Sequence, residues 1–171
     1  LLKNSRLKHD NSPLSLSTHY LTDIASVSID KVQPFYQQIT FSQRGATEHA
    51  IDCDEPLLVL AFVNLLRNAG RFAKSACQIH WHCNQQMTVV HIEDDGPGLP
   101  PGKTNDIFEP FMRLDPSRSR DSGGHGLGLA IVKAIVERHN GIITAGDSEL
   151  GGARFTLSFP SRAAKQTVAE A

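Results

Sequence analysis

Four polar side chains interrupt an otherwise apolar segment near the middle of the sequence. They recur at spacings of three and four residues, so a helix would place them on one face. The four residues are Asn64, Arg67, Asn68 and Arg71. Burying such groups without partners is costly, but a phosphate chain with Mg²⁺ would satisfy them, because amide oxygens suit that ion and Arg71 can donate to phosphate. The alternative is a face that is simply solvated.

Two glycine-rich segments could meet the same kind of ligand. Residues 94–98 follow a strand-like run, and the Asp94 carboxylate there could accept a hydrogen bond from a flat donor such as an exocyclic amine. Residues 123–128 lead into an apolar helix, where free N–H groups would form an anion site. Each pattern is weak alone, and a plain Asp/Gly turn explains the first equally well. The second is neither a Rossmann nor a P-loop signature.

Regular elements of both kinds surround these segments. Apolar patterning predicts helices over Leu21 to about Gln38, Leu57 to about Ala73, and Leu127 to His139. Asp54 is the expected cap of the second helix. Strand-like runs lie at residues 39–42, 50–53, 78–84, 87–93, 142–145 and 153–159, and residues 95–126 form a long loop. Strands between and after three helices predict an α+β two-layer sandwich.

Composition excludes several classes of protein. The 171 residues are 40% hydrophobic and 20% charged with a net charge of −1, which is typical of one globular domain and indicates no nucleic-acid partner. No run of 18 apolar residues occurs, and the three cysteines form no CxxC pair, which favours a reducing compartment. His80 and His82 would share a strand face with Cys83 on the other. A surface strand is a simpler interpretation of them than a zinc site.

Taken in order, these segments resemble the ATP-binding catalytic domain of bacterial sensor histidine kinases, within the wider family of gyrase, Hsp90 and MutL. Residues 64–72 resemble the N box, residues 94–98 the G1 box, residues 107–111 the F box and residues 124–132 the G2 box. The resemblance covers roughly residues 15–160 and is nearest to EnvZ- and RstB-like kinases. It implies a Bergerat ATP-binding fold, a mixed β-sheet packed against three α-helices, with ATP or ADP under a lid.

The resemblance also implies a role for each matching residue. Asn68 would ligate Mg²⁺ with Asn64 beside it, and Arg71 would reach the phosphates. Phe72 would pack against the adenine, and Asp94 would bind the adenine amine. The remaining nucleotide-binding residues would be Gly96, Gly98, Arg113, Gly124, His125, Gly126, Leu127 and Gly128.

Asn64 bears on the type of reaction. The ATPase branch of the resembling family carries Glu here as the base for water, and an amide cannot take that proton. The resemblance therefore implies a protein-histidine kinase that transfers the γ-phosphoryl group to an imidazole on another domain. A water-using ATPase and a non-catalytic nucleotide sensor are the alternatives.

The ends of the chain carry further expectations. We expect residues 1–14 to be the end of a dimerisation hairpin helix with its linker, residues 15–162 the catalytic domain, and residues 163–171 a flexible tail. Residues 9–13 resemble the phosphoacceptor motif but are one residue short, so we expect the acceptor histidine outside this chain. The expected partners are the phosphoacceptor domain and a response regulator. The parent would be a membrane-bound homodimer with this domain on the cytoplasmic side of the inner membrane.

Overall fold

The computed structural model describes residues 12–102, 104, 106–110 and 127–162. These residues contain three α-helices and seven β-strands. In chain order the elements are β1 (Ser17–Tyr20), α1 (Leu21–Val32), β2 (Thr40–Arg44), β3 (Ala50–Cys53), α2 (Glu55–Phe72), β4 (Ala76–Cys83), β5 (Met87–Asp94), α3 (Gly128–Arg138), β6 (Ile142–Asp147) and β7 (Ala153–Pro160). The expected hairpin end at residues 1–11 and the tail at 163–171 lie outside the described residues.

The main sheet has five strands in the order β2-β4-β5-β7-β6. β2 and β4 run parallel, and the other three neighbouring pairs are antiparallel, so the sheet is mixed as expected. The predicted antiparallel pair is β4 and β5, whose connection is closed by the Asn84 side chain accepting hydrogen bonds from the backbone of Gln86 and Met87. β1 and β3 form a separate two-stranded antiparallel sheet.

One face of the main sheet packs against the helices because alternate strand residues are apolar. The buried residues of the central strands are Cys77, Ile79 and Trp81 in β4, Val90 and Ile92 in β5, and Phe155, Leu157 and Phe159 in β7. α2 packs between α1 and α3 and buries Leu58, Phe62, Leu65, Leu66 and Ala69. The other sheet face carries polar residues, which gives the expected two layers. None of the helices in the described ranges combines the length and apolar character that a bilayer crossing requires.

One local prediction was wrong, and one strand was not predicted. The first helix ends at Val32 rather than near Gln38, and a 3₁₀ turn over Gln33–Phe35 follows. Pro34 lies in that turn and has no N–H to continue an α-helix. The Gln33 amide nitrogen then donates to the carbonyls of Tyr36 and Ile39, which stabilises the turn. β1 was also missed, because its pairing with β3 depends on a partner more than thirty residues away.

Hydrogen bonds at their ends tie α2 and α3 together. Asp54 caps α2 through its side chain, as predicted, by accepting from Leu57 N. Its own backbone N–H donates to His139 Nε2 at 3.0 Å, and His139 Nδ1 lies 2.7 Å from the Ile135 carbonyl. A neutral imidazole with its proton on Nδ1 satisfies both contacts. This buried histidine therefore links the end of α3 to the start of α2.

The core of α2 gives a first prediction. Leu65 is fully buried, whereas Leu60 on the same helix is 38% exposed. We expect Leu65→Ala to lower the free energy of unfolding by about 2–5 kcal/mol, because the lost methyl groups leave a cavity. Leu60→Ala should cost less than about 1 kcal/mol. Urea denaturation of both variants measures the difference, and equal losses would contradict the placement of these two residues.

Candidate functional site

The polar face of α2 is only partly buried. Asn64 and Asn68 are half-buried, whereas Arg67 and Arg71 are exposed. The Asn64 amide nitrogen donates to the Leu60 carbonyl at 2.8 Å, which fixes the amide and leaves its oxygen facing away from the helix backbone. Among the described contacts, this hydrogen bond therefore uses the nitrogen of the Asn64 amide and not its oxygen.

α3 begins beside this amide oxygen. A Cβ atom placed on Gly128 would lie 3.1 Å from Asn64 Oδ1, so α2 and α3 meet closely here. Leu127 is the residue before the helix, and its backbone carbonyl accepts from Ile131 N. The free N–H groups of a helix start carry partial positive charge. Amide oxygens and a positive helix end thus lie next to one another.

The end of α2 meets the end of β5. The Arg71 guanidinium lies 5.8 Å from the centre of the Phe72 ring, and Phe72 is the last residue of α2. A Cβ atom on Gly96 would lie 2.4 Å from the Phe72 carbonyl oxygen, so only glycine permits this approach. Gly98 has a φ of 78°, in the left-handed region that glycine tolerates. Phe72 and the Asp94–Gly96 segment therefore border the same space.

Asp94 is a buried carboxylate with one oxygen fixed. Asp94 is only 2% exposed. Its Oδ1 atom accepts hydrogen bonds from Gly96 N at 2.8 Å and from Ala153 N at 3.3 Å. Within the described part of the chain, Oδ2 receives no donor. Burial raises the pKa of Asp94 above its ordinary value, although the two backbone N–H groups oppose that shift. The second oxygen is the acceptor that a ligand could use.

Asp95 has a different role from its neighbour. Its carboxylate accepts hydrogen bonds from the backbone of Lys74, Ser75 and Ala76, and from Ser75 Oγ at 2.6 Å. Burial acts to raise the pKa of Asp95, but these hydrogen bonds outweigh it and hold the pKa well below its ordinary value. Asp95 thus anchors the α2–β4 connection to the end of β5, whereas Asp94 keeps one oxygen without a donor in the described part of the chain.

Sequence analysis missed Gly152, which lies against Asp94. Its N–H donates to the Asp94 carbonyl at 3.0 Å, and a Cβ atom there would lie 2.2 Å from Asp94 Oδ1 and 2.4 Å from Gly96 N. The adjacent Gly151 has a φ of 101°. In the sequence, this glycine pair indicates only a turn between two strands. Its contact with a residue more than fifty positions earlier arises from strand pairing.

Glu93 is a second residue that was missed. It is 4% exposed, and Oε2 accepts from Ser148 Oγ at 2.7 Å, Arg154 Nη2 at 3.1 Å and Glu149 N at 3.3 Å. His80 contacts the other carboxylate oxygen. Burial acts to raise the pKa of Glu93, but hydrogen bonds from His80, Ser148 and Arg154 outweigh it and lower the pKa to about 2. Glu93 is therefore an ionised hub, meaning a carboxylate that joins His80, Arg154 and the β6–β7 turn through hydrogen bonds.

The histidines of β4 lie on the outer sheet face beside Glu93. The ring of His91 is 4.7 Å from that of His80 and 5.6 Å from that of His82, and His91 Nδ1 contacts Thr156 Oγ1 at 2.9 Å. The predicted shared face of His80 and His82 is thus confirmed. Burial lowers the pKa of His91, reinforced by His80, Arg154 and His82 and opposed by the negative charge of Glu93. Across the described ranges, no three His, Cys, Asp or Glu side chains are grouped so as to hold a metal ion.

The predicted residues fall into two clusters in the described chain. Asn64 lies beside Gly128, with Asn68 one turn further along the same face of α2, and Gly96 contacts both Phe72 and Asp94. Arg113, Gly124, His125 and Gly126 lie outside the described residues, as do Phe111 of the F box and residues 9–11 of the motif-like segment. The individual roles of all these residues remain predictions.

Comparison with known proteins identifies the family. Residues 53–163 match the family described as histidine kinase-, DNA gyrase B- and HSP90-like ATPase. The chain belongs to this family. The sensor protein RstB of Escherichia coli strain K12 is 42% identical over 154 residues, which are 90% of this chain and 34% of RstB. The chain thus spans about a third of the length of that relative.

Two solved structures share the fold of this ATPase-family domain. The mycobacterial sensor histidine kinase MprB superposes with a TM-score of 0.74 at 25% identity, covering 86% of this chain and 98% of that one. Full-length ShkA in complex with AMPPNP gives a TM-score of 0.77 at 25% identity, covering 92% of this chain and 34% of that one. These comparisons confirm the predicted fold and the predicted class, the ATP-binding catalytic domain of sensor histidine kinases.

The pKa of Glu93 predicts a pH-dependent stability. Because that pKa is about 2 in the folded chain against an ordinary 4.5, ionised Glu93 stabilises the fold fully above pH 4.5 and progressively less as the pH falls towards 2. We expect Glu93→Gln to lower the free energy of unfolding by about 1–3 kcal/mol at pH 7. That deficit should shrink between pH 4.5 and 2 in urea denaturation.

The exposed Glu137 on α3 provides a matched control. Glu137→Gln should change stability little at any of these pH values. A Glu93→Gln deficit that stays constant down to pH 2 would contradict the proposed ionised hub.

Proposed function

We propose that residues 15–162 bind ATP with Mg²⁺ and donate its γ-phosphoryl group to a histidine on a separate dimerisation domain, for relay to a response regulator. The observation that carries this proposal is the buried Asp94, whose one oxygen is fixed by two backbone N–H groups while the other is left for a ligand. The second supporting observation is that the amide face of α2 meets the start of α3 at Asn64 and Gly128. Family membership supports the assignment to ATP.

The adenine would lie against the end of α2. Asp94 Oδ2 would accept a hydrogen bond from the exocyclic amine, because a carboxylate oxygen accepts and cannot donate when ionised. Phe72 would pack against the base, and Gly96 allows the segment after β5 to approach the end of α2, because a Cβ there would meet the Phe72 carbonyl. Gly98, in its left-handed conformation, would permit movement of the segment that follows.

The phosphates and the metal would lie between α2 and α3. Asn68 and Asn64 would hold Mg²⁺ through their amide oxygens, and the orientation of the Asn64 amide fits this role because its nitrogen is already bonded to Leu60 O. When bound, the ion neutralises charge on the phosphates. Arg71 and the Gly128 N–H end of α3 would contact phosphate oxygens. The other proposed phosphate contacts are Arg113, Gly124, His125, Gly126 and Leu127.

At position 64 the chain has no general base that could activate a water molecule, whereas the ATPase branch of the family carries one there. Asn64 cannot accept a proton, so hydrolysis should be slow. In the proposed transfer, an imidazole nitrogen of the partner domain bonds to the γ-phosphorus, the bond from that phosphorus to the β–γ bridging oxygen breaks, and ADP leaves. This domain would supply position and charge neutralisation.

Further features of the parent protein belong to the same proposal. Residues 1–14 would be the end of the hairpin helix with its linker, and residues 163–171 a tail. The acceptor histidine would lie outside the 171 residues. RstB, a sensor protein, is about three times longer than the matched segment, which supports additional domains in the parent. We propose a membrane-bound homodimer with this domain in the cytoplasm.

Phosphoryl transfer tests the central proposal. In the presence of Mg²⁺, the chain should transfer labelled phosphate from ATP to a separately supplied dimerisation hairpin. It should not transfer phosphate to a hairpin whose acceptor histidine has been changed to alanine. Asn68→Ala should abolish the transfer because the metal loses a ligand. Tight ATP binding without any transfer would favour a nucleotide sensor. Phosphate release to water without the hairpin would favour an ATPase.

Asp94→Asn tests the adenine contact separately. If Oδ1 keeps its two backbone donors, the new amide nitrogen faces the adenine amine, donor against donor, while it could donate to the carbonyl of guanine. We expect the preference for ADP over GDP, measured by calorimetry, to fall by at least about tenfold. Asp147→Asn, at an exposed position of β6, is the control and should leave the preference unchanged. An unaltered preference in Asp94→Asn would remove Asp94 from adenine recognition.

A further inference from the structure

Glu93 and Asp94 are neighbours on β5 whose side chains lie on opposite faces of the sheet. Asp94 lies on the face covered by helices, and Glu93 lies on the outer face with His80, its contact on β4. Both nevertheless contact the connection between β6 and β7. Glu93 accepts from Ser148 and Glu149 at its start, and Asp94 accepts from Gly152 and Ala153 at its end.

The connection itself is closed by short-range hydrogen bonds. Ser148 N donates to the Gly152 carbonyl at 2.8 Å, and Gly151 N donates to the Ser148 carbonyl at 3.0 Å. The Ser148 hydroxyl donates to Glu93 and also accepts from Leu150 N at 2.9 Å. One hydroxyl therefore joins the turn to Glu93 and closes the turn at the same time.

The end of this turn has little freedom to move relative to Asp94. A Cβ atom on Gly152 would lie within 2.2–2.5 Å of Asp94 Oδ1, Gly96 N and the Asp94 carbonyl. A shift of the turn therefore changes the distance from Ala153 N to Asp94 Oδ1, which is already 3.3 Å. Hydrogen bonds weaken steeply as they lengthen and bend. The orientation of the Asp94 carboxylate thus depends on where the turn is held.

We propose that Glu93 and Ser148 are positioning residues for adenine recognition, which act from the outer sheet face by fixing the β6–β7 turn that holds Asp94. This inference rests on the proposed function, in which Asp94 binds the adenine amine. It adds that the acceptor is held in place by a network on the side of the sheet away from the nucleotide. Neither residue touches the ligand.

Glu93 and Ser148 depend on each other because both are buried. A buried carboxylate is tolerated only with several donors, and Glu93 has them from His80, Arg154 and the turn. Loss of the Ser148 hydroxyl removes one donor to Glu93 and one acceptor for Leu150 N. Apart from its own backbone hydrogen bonds, the turn would then keep only the contact of Glu149 N with Glu93 at 3.3 Å and the ion pair of the exposed Glu149 side chain with Arg154.

The test compares two nucleotides that differ only in the amine. ADP and the diphosphate of purine riboside, which lacks the 6-amino group, are titrated by calorimetry into the chain and into Ser148→Ala. We expect ADP to bind roughly three- to tenfold more weakly to Ser148→Ala, with the amine-free nucleotide unchanged. Ser158→Ala, a half-buried serine on the same sheet face, is the control and should change neither affinity. A Ser148→Ala variant that weakens both nucleotides equally would overturn the positioning role.

Asp94→Asn separates failure of this inference from failure of the proposed function. In the Asp94→Asn background, Ser148→Ala should add no further loss of ADP affinity, because the acceptor it positions is already gone. If Asp94→Asn lowers ADP affinity but Ser148→Ala does not, the inference is wrong and the proposed function stands. If Asp94→Asn leaves the preference for the amine unchanged, the adenine assignment itself fails. Glu93→Gln, measured at pH 7 on folded protein, should reproduce the Ser148→Ala pattern, and a normal ADP affinity there would also overturn the inference.

Discussion

A carboxylate buried at the end of β5 sets the main constraint on this domain. Burying Asp94 is costly unless donors surround it, and the surrounding donors are backbone N–H groups, from Gly96 in its own loop and from Ala153 at the start of β7. Backbone donors cannot rotate away as side chains can. The fold therefore specifies which carboxylate oxygen receives the backbone donors, and the pairing of β7 with β5 is needed to do so.

Three consecutive acidic residues show how the local environment gives similar carboxyl groups different pKa values. Glu93 has a lowered pKa because of its donors on the outer face, and Asp95 has one because of the backbone at the start of β4. Asp94 lies between them with a raised pKa because burial prevails over its two backbone donors. Two of the three carboxylates hold the structure together. The third is the one that the structure leaves with an open acceptor.

α2 serves both the core and the site because its two faces differ. Leu65 and its apolar neighbours are buried in the core, while Asn64 faces the start of α3. The Asn64 side chain is oriented by the carbonyl one turn earlier, so the helix itself sets the direction of the amide oxygen. α2 therefore connects the proposed adenine end of the site, at Phe72, to the proposed phosphate end at Gly128.

The sequence by itself determined the two layers, the limits of α2 and α3, and the residues of the amide face, because hydrophobic periodicity and local capping encode them. The sequence also indicated the family, because the order of the motifs along the chain can be read without knowledge of three-dimensional contacts. It overextended α1, where Pro34 ends the helix, and it missed β1, whose partner is distant in the chain. The resemblance already implied Asp94 as the adenine acceptor, but only the tertiary structure decided that Asp95 binds the α2–β4 connection and that Gly152 and Glu93 belong to the surroundings of Asp94. Those contacts arise from strand pairing between distant segments, and no local pattern specifies them.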